Sequence, residues 1–152
     1  MRPILAMNNS PYHKVARWLV DLIRPFRNAI ARHSLNDTFH LIREIDGINI
    51  KNTNMFSVDV QSLFTNVPLP ETVDFLCQSI KDAKFHLPMP VELLHDMLLL
   101  CTENVTFSFQ GQQYKQCDGI AMGSPLGPLL SDVFMTMIEQ NASGAISNPD
   151  VQ

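Results

Sequence analysis

Asp59 stands near the end of an apolar stretch, residues 54–60 (NMFSVDV), in which Met55, Ser57 and Asp59 alternate with Phe56, Val58 and Val60. That period of two predicts a strand with Asp59 on its less apolar face. A carboxylate is costly to bury there unless it is paired or holds a cation, so Asp59 reads either as a turn cap or as a metal ligand. Five residues on, Phe64 falls just beyond the strand end, where an aromatic ring either joins the core or walls one side of a small-molecule site. The segment 118–128, DGIAMGSPLGP, packs three glycines and two prolines into eleven residues. Glycine removes the side chain that would hold a ligand away, so these amides are able to approach a phosphate or a base pair; the bland alternative is a tight turn before a helix. The pattern is neither GxGxxG nor GxxxxGK(S/T), which excludes the dinucleotide and P-loop readings.

Other chemistries fail on spacing. Ser124 lies between Gly123 and Pro125 without the GxSxG elbow, and no histidine is placed as its base, which argues against a hydrolase. His33 and His40, and His86 and His95, are too far apart in sequence to be tight metal pairs. Cys77, Cys101 and Cys117 form no CxxC pair and read as free thiols.

The elements that must position these residues follow from length and period. The 152 residues are 45% hydrophobic and 17% charged, enough for one domain with a sizeable core. The net charge is −4, but residues 1–45 carry seven bases against three acids and the remainder four against twelve. Such a split fits a chain that holds a polyanionic backbone with one part and keeps carboxylates for metal or solubility in another.

Val15, Trp18, Leu19, Leu22 and Ile23 predict an amphipathic helix over residues 12–24, capped by Ser10 and Pro11 and ended or kinked by Pro25. A second helix is expected over 37–45, capped by Asn36 and stopped near Gly47. Pro70 opens another to about Lys81, with Val73, Leu76, Cys77 and Ile80 buried, and Pro90 precedes one over Val91–Thr102. Segments 105–109 and 112–116 flank Gln110-Gly111 as a β-hairpin, and Pro128 starts a final helix. Residues 141–152 lose all period and are expected to be a disordered tail. The order suggests an α+β unit with helices packed on one face of a mainly antiparallel sheet. No apolar run approaches the roughly 20 residues of a membrane span, and the first residues lack a signal-peptide core, so an intracellular site, nuclear or cytoplasmic, without membrane contact is expected.

Three segments in order, RPI at 2–4, FSVDVQSLFTNVPL at 56–69 and YKQCDGIAMGSPLGPLLSDVFM at 114–135, resemble reverse transcriptases, most closely those of Penelope-like retroelements. The resemblance covers residues 1–140 and implies a reverse-transcriptase-like fingers and palm, fingers-like over 1–50 and palm-like over 51–140. It implies RNA-directed DNA polymerase activity on an RNA template, a DNA primer and dNTP. Asp59 would then be the first catalytic aspartate, holding Mg²⁺, or Mn²⁺ in its place, with the backbone carbonyl of Val60. Phe64 would sit under the incoming sugar and disfavour a 2′ hydroxyl, and Arg2 would meet the triphosphate. The loop from Gly119 would bring Met122 and Gly123 to the nucleotide and Gly119, Ser124 and Pro125 to template and primer. Met122 stands where many relatives carry glutamine, so it packs against a base without hydrogen-bonding it. The basic first helix would belong to the fingers and face template phosphates.

The family's second carboxylate pair, an aromatic-x-Asp-Asp turn, has no counterpart, since no two aspartates are adjacent in this sequence. The resemblance therefore implies a polymerase fragment that is inactive by itself and has a sheet edge open to self-association. The alternatives are a non-catalytic nucleic-acid-binding remnant and a structural or interaction module.

Overall fold

A computed structural model describes residues 4–7, 10–31, 33–35, 37–48, 57–103 and 105–146, the last four by their backbone alone. The elements are α1 (His13–Ile30), α2 (Thr38–Ile45), α3 (Leu63–Asn66), α4 (Leu69–Asp82), α5 (Val91–Thr102), β1 (Thr106–Phe109), β2 (Gln112–Lys115) and α6 (Gly127–Ile146).

The core lies between helices. α1, α4, α5 and α6 pack on one another and bury Leu19, Ile23, Val73, Leu76, Leu94, Leu98, Leu130 and Val133. The expected antiparallel pairing is present, but the expected layering is not. Among the described residues the sheet is the β1–β2 hairpin alone, with most of its side chains exposed, and the helices cover each other rather than a sheet face. Apolar stripes on four long helices satisfy one another, and a hairpin of two four-residue strands has too little apolar area to form a layer.

α1 does not stop at Pro25. It continues to Ile30 because the residues beyond the proline have tertiary partners. Phe26 is buried with its ring 5.2 Å from that of Phe85, and the Arg27 guanidinium is bonded to Asp132 on α6. These contacts offset the hydrogen bond that proline cannot make. The stripe is also turned relative to the sequence expectation: Ala16, Leu19, Ile23 and Phe26 are buried, whereas Trp18 is exposed. Ser10 accepts from the Tyr12 amide in a turn before the helix, and Tyr12 is the capping position.

α2 is capped by Asp37, whose carboxylate accepts from the His40 amide at 2.7 Å, rather than by Asn36, which lies outside the described residues. α4 and α5 fall where the prolines place them. The pairs Asp74–His95 at 3.1 Å and Lys81–Glu92 at 2.8 Å set the two helices antiparallel. The hydrogen bond to Lys81 holds the Glu92 carboxyl below its usual range and raises the Lys81 amine.

In the hairpin Gln110 and Gly111 both have positive φ, 51° and 78°, the backbone of a two-residue turn that matches the twist of its strands. The cross-strand pair Phe107 and Tyr114 stacks at 5.5 Å. The strand expected over 54–60 falls partly outside the described residues, and over 57–60 the chain forms none. α6 runs six residues past Gln140, so the tail expected from residue 141 is helical through Ile146. Among the described residues no helix is long and apolar enough to cross a membrane.

Candidate nucleotide site

Asp59 and Val60 are exposed, in a stretch without regular secondary structure that leads into a turn at Gln61 and Ser62. Ser62 takes the left-handed conformation, φ 56° and ψ 43°, and this reverses the chain into α3. The Ser62 carbonyl accepts from the Thr65 amide at 3.1 Å and the Thr65 hydroxyl at 2.9 Å, and Asn66 Nδ2 donates to the Gln61 carbonyl at 3.1 Å. The polar letters of QSLFTN therefore wind the short helix that carries Phe64.

Phe64 joins this helix to the glycine loop twice. Its carbonyl accepts from the Ile120 amide at 2.7 Å. Its half-buried ring lies on Gly127, where a Cβ would come within 2.9 Å of Cε1. Gly119, at φ 69°, backs onto the same helix: a Cβ there would meet the Phe64 carbonyl oxygen at 2.5 Å and Thr65 at 2.6 Å. Gly123, at φ 108°, faces the Leu5 carbonyl so closely that a side chain has no room, while the Leu5 amide donates to the Met122 carbonyl at 2.7 Å. The three glycines thus admit the chain's own backbone and one of its rings.

Ser124 is buried, and its hydroxyl accepts from the Leu126 amide at 3.3 Å, so it shapes the entry to α6. Gly123 and the half-buried Pro125 form the loop surface on either side of it.

Sequence reasoning placed Asp59, Phe64 and the loop in one site, and the structure brings Phe64, Gly119 and Gly127 into contact. Asp59 is different: among the described residues no group of three or more His, Cys, Asp or Glu side chains is arranged to hold a metal ion. Its carboxylate and the Val60 carbonyl are hard oxygen donors of the right chemistry, but a single anionic ligand is too few for a two-metal site. Arg2 lies outside the described residues.

Two hollows went unseen in the sequence because four separate segments build them. One of about 760 Å³ runs between the α4 entry and residues 115–119 and carries Glu71, Glu103 and Asp118 with Lys115. The other, about 190 Å³, is lined by Thr65, Phe107, Asp118, Ile120 and Met122, so Met122 does reach an apolar recess beside α3.

The chain matches the model of the reverse transcriptase (RNA-dependent DNA polymerase) family over residues 1–151 and belongs to that family. No match was found among curated proteins or among solved structures. Family membership makes this an RNA-directed DNA polymerase domain, a nucleotidyltransferase whose substrates are template, primer and dNTP and whose relatives use divalent metal ions.

Proposed function

We propose that this domain supplies the nucleotide-facing part of a Penelope-like retroelement polymerase. The reaction is attack of a primer 3′ hydroxyl on the α-phosphate of a dNTP, templated by RNA, with pyrophosphate leaving. Asp59 and the Val60 carbonyl would be the described residues' oxygen contribution to a divalent-cation site, Mg²⁺ or Mn²⁺, whose further anionic ligands the described residues do not supply. Such a cation, when bound, would acidify the hydroxyl and neutralise the leaving phosphates.

One observation carries the reading. The turn that follows Asp59 is bolted to the glycine loop through Phe64, by the Ile120 amide on its carbonyl and Gly127 beneath its ring. A sugar resting on the Phe64 edge and a base against Met122 would therefore meet a preformed surface. In this reading Phe64 excludes a 2′ hydroxyl by bulk and Arg2 takes the triphosphate. Gly123 meets the nucleotide beside Met122 and Pro125 touches template and primer, while Gly119 and Ser124, expected at template and primer, set the shape of the loop against α3 and the Leu126 amide. Residues 1–50 act as fingers and 51–140 as palm, with the Arg27–Asp132 ion pair joining the two.

Without an adjacent aspartate pair, the 152 residues bind substrate but do not turn it over. The open edges of β1 and β2 add a tendency to self-associate. The test is primer extension on an RNA template in Mg²⁺ by the purified chain, together with its binding to an RNA–DNA hybrid. We expect salt-sensitive hybrid binding and no extension above that of Asp59→Ala. Extension that disappears in Asp59→Ala refutes the inactivity, and no hybrid binding at low salt refutes the polymerase reading.

A further inference from the structure

Gly127 opens α6, and nothing in its own backbone calls for a glycine. Its φ lies outside the left-handed region, unlike those of Gly119 and Gly123, and alanine is the better helix former. What excludes a side chain there is the Phe64 ring. A Cβ at residue 127 would stand 2.9 Å from Phe64 Cε1 and 3.5 Å from Cδ1, with Ile120 Cγ2 beside it at 3.6 Å.

These neighbours are not equally free to move. Ile120 is buried in the core, so it does not yield. The Phe64 main chain is held as well, because its carbonyl accepts from the Ile120 amide at 2.7 Å and Gly119 backs onto that carbonyl and Thr65. The ring alone has an open side, since it packs on the core and yet stays half-exposed. A methyl at residue 127 must lift the ring by about 0.6 Å to reach the roughly 3.5 Å at which carbon atoms rest, and the open direction is outward. The entry to α6 is thus the floor that sets how far the Phe64 ring stands out from the surface.

We propose that Gly127 is a positioning residue that sets, through the Phe64 ring, how much room the sugar of an incoming nucleotide has. With only hydrogen at residue 127 the ring sits low enough for a 2′-deoxy sugar to rest on its edge, and a methyl there raises the ring into the sugar's space. The inference rests on the reading of Phe64 as the wall that faces the sugar. It adds that the height of this wall is fixed from beneath by α6, not by the short helix α3 that carries it.

The full chain is bound to an RNA template annealed to a DNA primer that ends in a dideoxynucleotide, with cytosine as the next template base. It is then titrated with dGTP and with GTP in Mg²⁺. The readout is the ratio of the two affinities, because a loss of fold lowers both together and leaves the ratio in place. We expect the unaltered chain to prefer dGTP and Phe64→Ala to bind the two alike. Gly127→Ala weakens dGTP about tenfold, the scale of a methyl forced into a packed site, and GTP still more, so the ratio rises. Gly127→Ala combined with Phe64→Leu, whose shorter side chain leaves space for the methyl, binds dGTP within about twofold of Phe64→Leu alone. Circular dichroism checks the fold of each variant, and this last comparison keeps the test open if Gly127→Ala alone does not fold.

An unchanged ratio in Gly127→Ala, or an equal loss of dGTP binding with and without the ring, overturns the inference. If Phe64→Ala equalises dGTP and GTP while Gly127→Ala leaves both affinities as they were, the inference falls and the polymerase reading stands. Absence of dGTP binding by the unaltered chain on its primer and template refutes both.

Discussion

Gly119 and Gly111 both hold positive φ, 69° and 78°, yet they do different work. Gly111 faces open space in the hairpin turn, so only backbone conformation restricts it. Gly119 has α3 backbone within 2.6 Å of where its side chain would begin. Gly111→Ala should therefore cost about 1 kcal/mol, the strain of an alanine in the left-handed region. Gly119→Ala should cost at least about 3 kcal/mol, because main chain must move. Urea unfolding of the two variants gives the comparison, and equal losses would show that α3 yields easily. The glycines were visible in the sequence as a loop with special conformations. Their partners, Phe64, Thr65 and Leu5, lie far away in the chain, and no local pattern names them. Phe64 itself was legible as either wall or core, and it is half-buried with its ring on Gly127.

Among the elements, the long helices and the hairpin were legible, whereas the four-residue α3 was not foreseen and the strand expected over 54–60 does not form over 57–60. Helices α4 and α5 begin at their prolines and follow their apolar stripes, since a helix makes its hydrogen bonds within itself. A strand takes its hydrogen bonds from a neighbour, and among the described residues β1 and β2 pair only with each other, so the alternation toward Asp59 has no ladder to join over 57–60. α1 shows tertiary contact overriding a breaker. Pro25 is exposed and lies inside the helix, so it contributes strain and little packing. Pro25→Ala should raise stability by about 1–3 kcal/mol, seen as a higher urea midpoint at unchanged slope. A lower midpoint would mean that the proline's geometry is needed to aim Phe26 and Arg27.

At the scale of the whole molecule, the helical core encloses two of the three cysteines, Cys77 and Cys101, and leaves Cys117 exposed. Burial, with the nearby Asp74 charge adding to it, pushes the Cys77 thiol up to about 11 from an ordinary value of 9.0, and burial raises Cys101 as well. The folded chain holds the Cys77 proton where the unfolded chain releases it, so this contribution to stability is intact below about pH 9 and is lost as pH rises toward 11. Urea midpoints should fall across that window, and less so in Cys77→Ala. A thiol reagent at neutral pH should modify one cysteine in the native chain and all three in denaturant. Fast modification of all three would mean that the core opens readily. The sequence by itself determined the positions of the long helices, the hairpin turn and, through the motifs around Asp59 and residues 118–128, the polymerase family, because each is written in neighbouring residues. Only the tertiary structure decided that helices rather than a sheet make the core, that α1 passes through Pro25, that Trp18 faces outward and that the loop glycines admit the chain's own backbone. Those outcomes depend on which distant surfaces bury each other, and the free energy of burial belongs to pairs of segments that no single stretch of sequence contains.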